Sequence, residues 1–404
     1  MNIAHALVFA LGLGLISAAP LQAQSGGRFH QDRFAIGFWV APQTDDNVEA
    51  RYAEIAEANF NFVIGLCGAK SPPPAAQQLA WCEKYGLKAL VPWSPGAEPV
   101  PDGPAVWGYT LRDEPSAKQF GELGQAVANV RAAHPGKLAY INLFPNYASR
   151  EQLGTETYEE HVKRFVAEVG PDVLSMDHYP QFHPHKDGRE AYCTNLEVFR
   201  RHARAAGIPF WNFFNTMPYG PHTDPTEAQL RWQVYASLAY GARGVMYFCY
   251  WTPRGDEFPK GGAILTADGR RTRHYDEAKR INAALKNLGP TLMQLESLGA
   301  QRVSGPKPDV ASLPGNPVRS ITEGDYLIGS FRHADGRRAV LIQNYHFAFS
   351  AWPTVTFDAD AGAVLEVSPK TGRLQPVVDD SPDMAGLQVS LDAGEGRLFV
   401  LPAP

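Results

Sequence analysis

The most constraining feature of this chain is an alternation. From residue 34 onward, short apolar runs take turns with segments of helical periodicity. The apolar runs are "FAIGFWV" (34–40), "FVIGLCG" (62–68), "KALVPW" (88–93), "VWGYTLRD" (106–113), "LAYINLF" (138–144), "VLSMDHY" (173–179), "PFWNFFNT" (209–216) and "GVMYFCYW" (244–251). Continuous apolar strands are those buried on both faces, as in a parallel sheet. Between them, "DPTEAQLRWQVYASLAYGA" repeats its apolar residues every three to four positions, with Leu230, Val234 and Leu238 on one face. Asp224 is the expected N-cap of this helix, with Pro225 in the first turn and Glu227 three residues after the cap. Eight strand–helix units over about 260 residues predict an α/β fold of the (β/α)8 TIM-barrel type. A doubly wound open sheet is the competing arrangement, but no glycine-rich phosphate loop follows the first strand.

After about residue 300 the pattern becomes short strands separated by Gly, Asp and Pro turns: "YLIGSFRH", "AVLIQNYH", "TVTFDA", "AVLEVSP" and "LQVSLDAGEGRLFVL". This predicts a small C-terminal all-β sandwich. The expected domains are a signal peptide over 1–23, a barrel over 30–298 and a β-sandwich over 312–404, with "VSGPKPDVASLPGN" as the linker. The leader reading rests on "ALVFALGLGLISAAPLQAQSGG", an apolar run followed by small and polar residues. It predicts a secreted or periplasmic protein with no membrane span after cleavage. The cysteines are Cys67, Cys82, Cys193 and Cys249, in no zinc-motif spacing. Cys67 and Cys249 lie in strand-like runs and read as buried thiols, and an oxidising compartment makes Cys67–Cys82 the nearest pairing in sequence.

A net charge of −5 and no basic block argue against nucleic acid or an anionic membrane surface as partner. In a TIM barrel the site lies at the C-terminal ends of the strands. Those ends carry Trp39, Trp93, Asp113 with Glu114, Asn142, Asp177 with Tyr179, Asn215, and Tyr250 with Trp251. Asn146, Tyr147, His178, Tyr219 and His222 lie close by. The rim has no Ser-His-Asp order, no His-rich metal cluster and no basic ring, so neither metal nor cofactor is expected. His183 and His185, in "QFHPHKDGRE", read as a solvated loop over the site. Aromatic platforms with a few carboxylates suit an uncharged polyol, and the expected partner is a glycan. Cleaving a glycosidic bond needs one protonated acid for the leaving oxygen and a second group at the anomeric carbon. Glu114 is the candidate acid, its pKa raised by Asp113 and by burial. Adjacent strand residues point to opposite faces, so the two share a pocket only if the strand is bulged or ending there.

An acid/base Glu ending strand four resembles the large TIM-barrel clan of retaining glycosidases. That clan carries Asn before this Glu and a nucleophilic Glu ending strand seven. Here Asp113 stands in place of the Asn, and "PFWNFFNTMPYG" holds no carboxylate. "GYTLRDEP" resembles the Asp-Glu-Pro motif of glycoside hydrolase family 123, β-N-acetylgalactosaminidases, with "PFWNFFNT" and "QVYASLAYGARGVMYFCYW" similar to its later strands over about residues 100–255. The resemblance implies substrate-assisted, retaining hydrolysis of a 2-acetamido sugar. Glu114 would be the general acid/base and Asp113 the group orienting the acetamido. Tyr179, or second Tyr250, would bond its oxygen, and Trp251 would floor the pocket. The alternatives are a β-galactosidase- or β-glucosidase-like enzyme pairing Glu114 with Asp177 on neutral sugars, and a non-catalytic carbohydrate-binding barrel. Asp177 otherwise serves as a ligand of sugar hydroxyls.

Overall fold

The computed structural model describes residues 27–93, 102–183, 186–258 and 262–403. The proposed leader, His185 and the last residue of the chain lie outside the described residues. The order is β1 (Ala35–Phe38), α1 (Val48–Glu57), β2 (Phe62–Ile64), α2 (Ala75–Lys84), β3 (Lys88–Pro92), β4 (Val106–Asp113), α3 (Phe120–Ala133), β5 (Leu138–Asn142), α4 (Arg150–Leu153), α5 (Tyr158–Val169), β6 (Leu174–Asp177), α6 (Arg189–Ala206), β7 (Phe210–Asn215), α7 (Glu227–Ala239), β8 (Gly244–Phe248) and α8 (Arg273–Leu292).

Two parallel arcs, β2-β3-β4-β5 and β1-β8-β7-β6, make up the barrel wall. Two seams close it. Asn61 N–H donates to the Ile36 carbonyl, and Leu143 N–H donates to the Ser175 carbonyl at 2.8 Å. The eight strands therefore form a closed TIM barrel and not the open sheet that competed with it. The lumen is filled by Phe62, Leu90, Trp107, Tyr140, Trp211 and Met246, with the Trp107 and Trp211 rings stacked at 5.6 Å. The alternate residues of the same strands face outward into a second core beneath the helices.

The C-terminal region begins earlier than the expected boundary at 312. Strand β9 (Leu295–Gly305) follows α8 almost at once and pairs with β11 (Gly324–His333) along its whole length. Residues 303–305 of the expected linker are thus strand. Then come β10 (Val318–Ile321), β12 (Arg338–Asn344), β13 (Thr354–Phe357), β14 (Leu365–Val367), β15 (Leu374–Pro376), β16 (Leu387–Gln388) and β17 (Gly396–Leu401). They form a six-stranded sheet, β15-β14-β17-β12-β11-β9, over a three-stranded one, β10-β13-β16. Strands β11 and β12 are buried on both faces. Tyr326, Ile328, Val340 and Ile342 fill the space between the sheets, while Leu327, Phe331, Ala339 and Leu341 join the barrel's outer core.

Helix α7 is the partner of that outer face, and it is buried nearly all round. Its N-cap is Thr226 and not Asp224: the Thr226 hydroxyl accepts from Gln229 N–H, and the Gln229 side chain accepts from Thr226 N–H at 2.8 Å. Asp224 is taken by His274 and Arg273 at the start of α8. All four cysteines are free thiols, so Cys67–Cys82 is not bridged.

Candidate active site

Strand β4 solves the geometric problem of two neighbouring acids sharing one pocket. Its pairing shifts register against β3 between Ala89 and Leu90, and against β5 between Thr110 and Arg112. Each bulge adds a residue and resets which side chains face the lumen. After the second, Asp113 pairs with Asn142 of β5 and turns inward onto its amide. Glu114 then takes a left-handed backbone conformation, φ 46°, rare for a side chain of its size. Its N–H still donates to the Asn142 carbonyl at 2.8 Å. Pro115 ends the strand, and Glu114 swings to the same side as Asp113.

Asn142 is the hub. Its amide donates to Asp113 Oδ1 at 3.2 Å and to Asp177 Oδ1 at 2.8 Å. Its Oδ1 accepts from the Ser175 hydroxyl at 3.0 Å. Since the Ser175 proton is used there, the Tyr140 hydroxyl, 2.8 Å from Ser175 Oγ, must be the donor of that bond. A directed chain thus runs from Tyr140 through Ser175 and Asn142 to both carboxylates. The electrostatics follow from this crowding. Burial, then the Asp113 charge, pushes the Glu114 carboxyl up to about 7, while a hydrogen bond from Asp177 pulls it partly back. Asp177, 8% exposed, is raised by burial, then by Glu114 and Asp113, against the pull of Asn142. Burial also raises Asp113, offset by Asn142 and by Arg112. Asp113 itself sits at the accessible lip, so its rise reflects the walls around it more than complete enclosure. Glu114 and Asp177 lie within hydrogen-bonding reach, and near neutrality the cluster keeps a proton that isolated carboxylates would have lost.

Beside the acids lies a cavity of about 50 Å³, walled by Trp39, Tyr179, Phe213 and Phe248, with Asp113, Asn142 and Asp177 at its polar end. Trp39 stands edge-on to Phe213 at 5.9 Å, and Tyr179 packs against Phe248 at 5.3 Å. Tyr147 lies close to the acids. It is 53% exposed, edge-on to His178 at 5.1 Å, and its hydroxyl is raised by burial and then by the charges of Asp177 and Glu114. His178 is buried, its pKa pushed down to about 4, and its Nδ1 sits 3.0 Å from Asn195 Oδ1, so it holds structure and carries no transferable charge.

The structure brings together Glu114, Asp113, Asp177, Trp39, Asn142 and Tyr179. It separates the others. Tyr250 and Trp251 continue the pairing with β1, their N–H groups donating to the Trp39 and Val40 carbonyls. That turns both side chains into the outer core: Tyr250 stacks on Phe38, and Trp251 lies under Arg51. Neither is available as acetamido partner or pocket floor. Trp93 packs on Tyr109 and His134, away from the cavity. Asn215 is fully buried beyond Phe213, its backbone clamped at both ends by Gln233, and its side chain does not line the cavity. Sequence reasoning missed Phe213, Phe248, Ser175 and Tyr140, and it left Tyr147 unassigned. Phe213 was within reach, since it lies two residues before Asn215 and so on the same strand face.

No protein-family model matches the chain, and no curated protein matches it. Solved structures do. A cold-adapted β-galactosidase from Rahnella sp. R3 superposes with a TM-score of 0.52 at 10% identity, over 93% of this chain and 100% of that one. A GH51 arabinofuranosidase from Xanthomonas axonopodis pv. citri gives 0.47 at 12% identity, over 94% and 96%. A β-galactosidase from the psychrophilic Marinomonas ef1 gives 0.45 at 12% identity, and the chain spans 60% of its length. The Rahnella likeness is one of fold, and it runs through both the barrel and the C-terminal sheets.

Proposed function

We propose that the protein is a glycoside hydrolase that retains configuration by substrate assistance on a 2-acetamido sugar. The observation that carries this is the Glu114 carboxyl, raised to about 7 within reach of Asp177. A carboxyl with that pKa is protonated at moderately acidic pH, as a general acid must be. Asp177 is pinned by the Asn142 amide and its carboxyl is itself raised by burial, which makes it a poor nucleophile, and the attack is left to the substrate.

In this reading the acetamido carbonyl oxygen attacks the anomeric carbon as the bond to the leaving oxygen breaks. Glu114 gives that oxygen its proton. Asp113 accepts from the acetamido N–H and stabilises the positive charge that develops on the ring formed. Water then opens the ring, and Glu114 takes a proton back. The cavity beside Asp113 supports the assignment: Asp113 and Asn142 line its polar end, where an acetamido group would find hydrogen-bond partners, and Trp39, Phe213 and Phe248 give it apolar walls for the methyl. Tyr179 lines the cavity and is the phenol we assign to the acetamido oxygen. We further propose export, from the leader-like N-terminus, and division into a barrel and a β-sandwich.

The test is a paired panel of aryl β-glycosides with and without the 2-acetamido group. Turnover confined to the acetamido sugars, and lost in both Glu114→Gln and Asp113→Asn, is expected. Turnover of plain galactosides or glucosides would transfer the nucleophile's role to Asp177. No turnover on any sugar would leave a binding barrel.

A further inference from the structure

Strands β12 and β13 are joined by "YHFAFSAWP", residues 345–353. Phe349 is 71% exposed and Trp352 60% exposed, two of the most exposed large apolar side chains among the described residues. Their loop is nevertheless firmly held. Asn344 accepts from His346 N–H and donates to the Phe349 carbonyl at 2.7 Å. Gly394 N–H donates to the His346 carbonyl, and Ala351 exchanges two hydrogen bonds with Leu391. Two bulky aromatics are thus presented to solvent on fixed backbone, an arrangement that removes the ordering penalty of binding.

The loop also lies on the rim side of the barrel. Arg189, the first residue of α6, donates to the Tyr345 carbonyl at 3.0 Å, and its guanidinium lies 4.8 Å from the Phe347 ring centre. The same first turn of α6 receives Asn146, the neighbour of Tyr147, whose amide donates to the Ala191 carbonyl at 3.0 Å. The first turn of α6 therefore touches both the segment that carries Tyr147 and the aromatic loop.

We propose that Phe349 and Trp352 form a sugar-stacking surface that binds a more distant part of the same glycan chain. The ligand class rests on the hydrolase reading above; the surface itself does not. Aromatic faces match the C–H faces of a pyranose, and His346 and Ser350, both exposed, supply hydroxyl partners beside them. A second copy of the chain is the poorer occupant, because two side chains fall far below the roughly 800 Å² per partner of a stable interface.

The experiment is affinity electrophoresis of the full chain in gels containing glycol chitin, galactan or β-glucan. The Phe349→Ala/Trp352→Ala variant is run alongside, and both proteins are assayed on an aryl glycoside. Retardation of the wild type in at least one gel is expected. It should weaken about tenfold or more in the variant, the loss typical of a truncated aromatic anchor, with aryl-glycoside turnover unchanged. No retardation in any gel, or equal retardation of both proteins, would overturn the proposal. So would a dimer that the double substitution dissociates in sedimentation. Retardation without any aryl-glycoside turnover would sink the hydrolase reading and leave this surface standing.

Discussion

Glu114, with its raised carboxyl, is the residue through which the proposed mechanism predicts a pH dependence. In that mechanism its acid form is the active one, so kcat/KM should fall as pH rises through about 7. Glu114→Gln should lower kcat by 10²- to 10⁴-fold, roughly the usual value of a general acid, and abolish that limb. The same shift makes a stability prediction of opposite sense. A raised pKa means that the folded state holds the proton more tightly than the unfolded chain does. Stability is then full below the ordinary value of 4.5 and is lost as pH rises through about 7. Glu114→Gln should match the wild type at pH 4 and exceed it at pH 8. The gain is at most about 3 kcal/mol at 1.36 kcal/mol per unit, and less where water screens the group. Urea titrations at the two pH values check it; equal gains at both would refute the shift. Asn142 gives a second test. Asn142→Leu keeps the shape but removes the one amide that favours ionised Asp113 and Asp177. The cluster should then hold its proton to higher pH, moving the basic limb upward, at a stability loss of about 1–3 kcal/mol. A residue that only filled space would leave the limb where it was.

At the level of the element, β4 shows what could be read in advance and what could not. The two acids ending an apolar strand were visible, and so was the need for a bulge or a strand end. The bulges themselves were not, because they arise from pairing with β3 and β5 and not from any local residue choice. The same limit explains Tyr250 and Trp251. "GVMYFCYW" reads as one strand whose last aromatics reach the rim, but pairing with β1 beyond β8 turns them outward. For α7, Asp224 was a good cap by type, yet His274 and Arg273 outbid the helix for it and Thr226 took the role. Gly108 is the β4 position with no room to spare. A Cβ there would lie 2.1 Å from the Leu138 carbonyl oxygen and 2.6 Å from its Cβ. Gly108→Ala should force β4 away from β5, cost about 3 kcal/mol or more, and remove activity with it by parting Asp113 from Asn142. A variant of wild-type stability and turnover would show that the β4–β5 pairing does not set the site.

For the whole molecule, the barrel and the C-terminal sheets share one core. Helix α7 buries Trp232 as well as the Leu230, Val234 and Leu238 face that its periodicity showed, because the C-terminal sheets cover the side that would otherwise meet solvent. Trp232 meets Tyr345 edge-on at 5.3 Å, and the Gln343 amide donates to the Trp232 carbonyl at 2.9 Å. A barrel cut after α8 would expose that face as well as the outer side of α6, and it should be recovered as aggregate. The full chain should instead unfold in one transition, because neither region can lose the other without uncovering apolar surface. Gly329 of β11 is the place to press on the contact. A Cβ there would stand 2.2 Å from the Ala239 carbonyl oxygen at the end of α7. Gly329→Ala should lower the denaturant midpoint by the equivalent of about 1–3 kcal/mol, the range for overpacking. Near-ultraviolet circular dichroism, which follows the barrel's tryptophans, and loss of turnover should shift together. If the C-terminal sheets melted first while the barrel signal and activity persisted, the two regions would be separable units, and the shared core would be an ordinary interface between them.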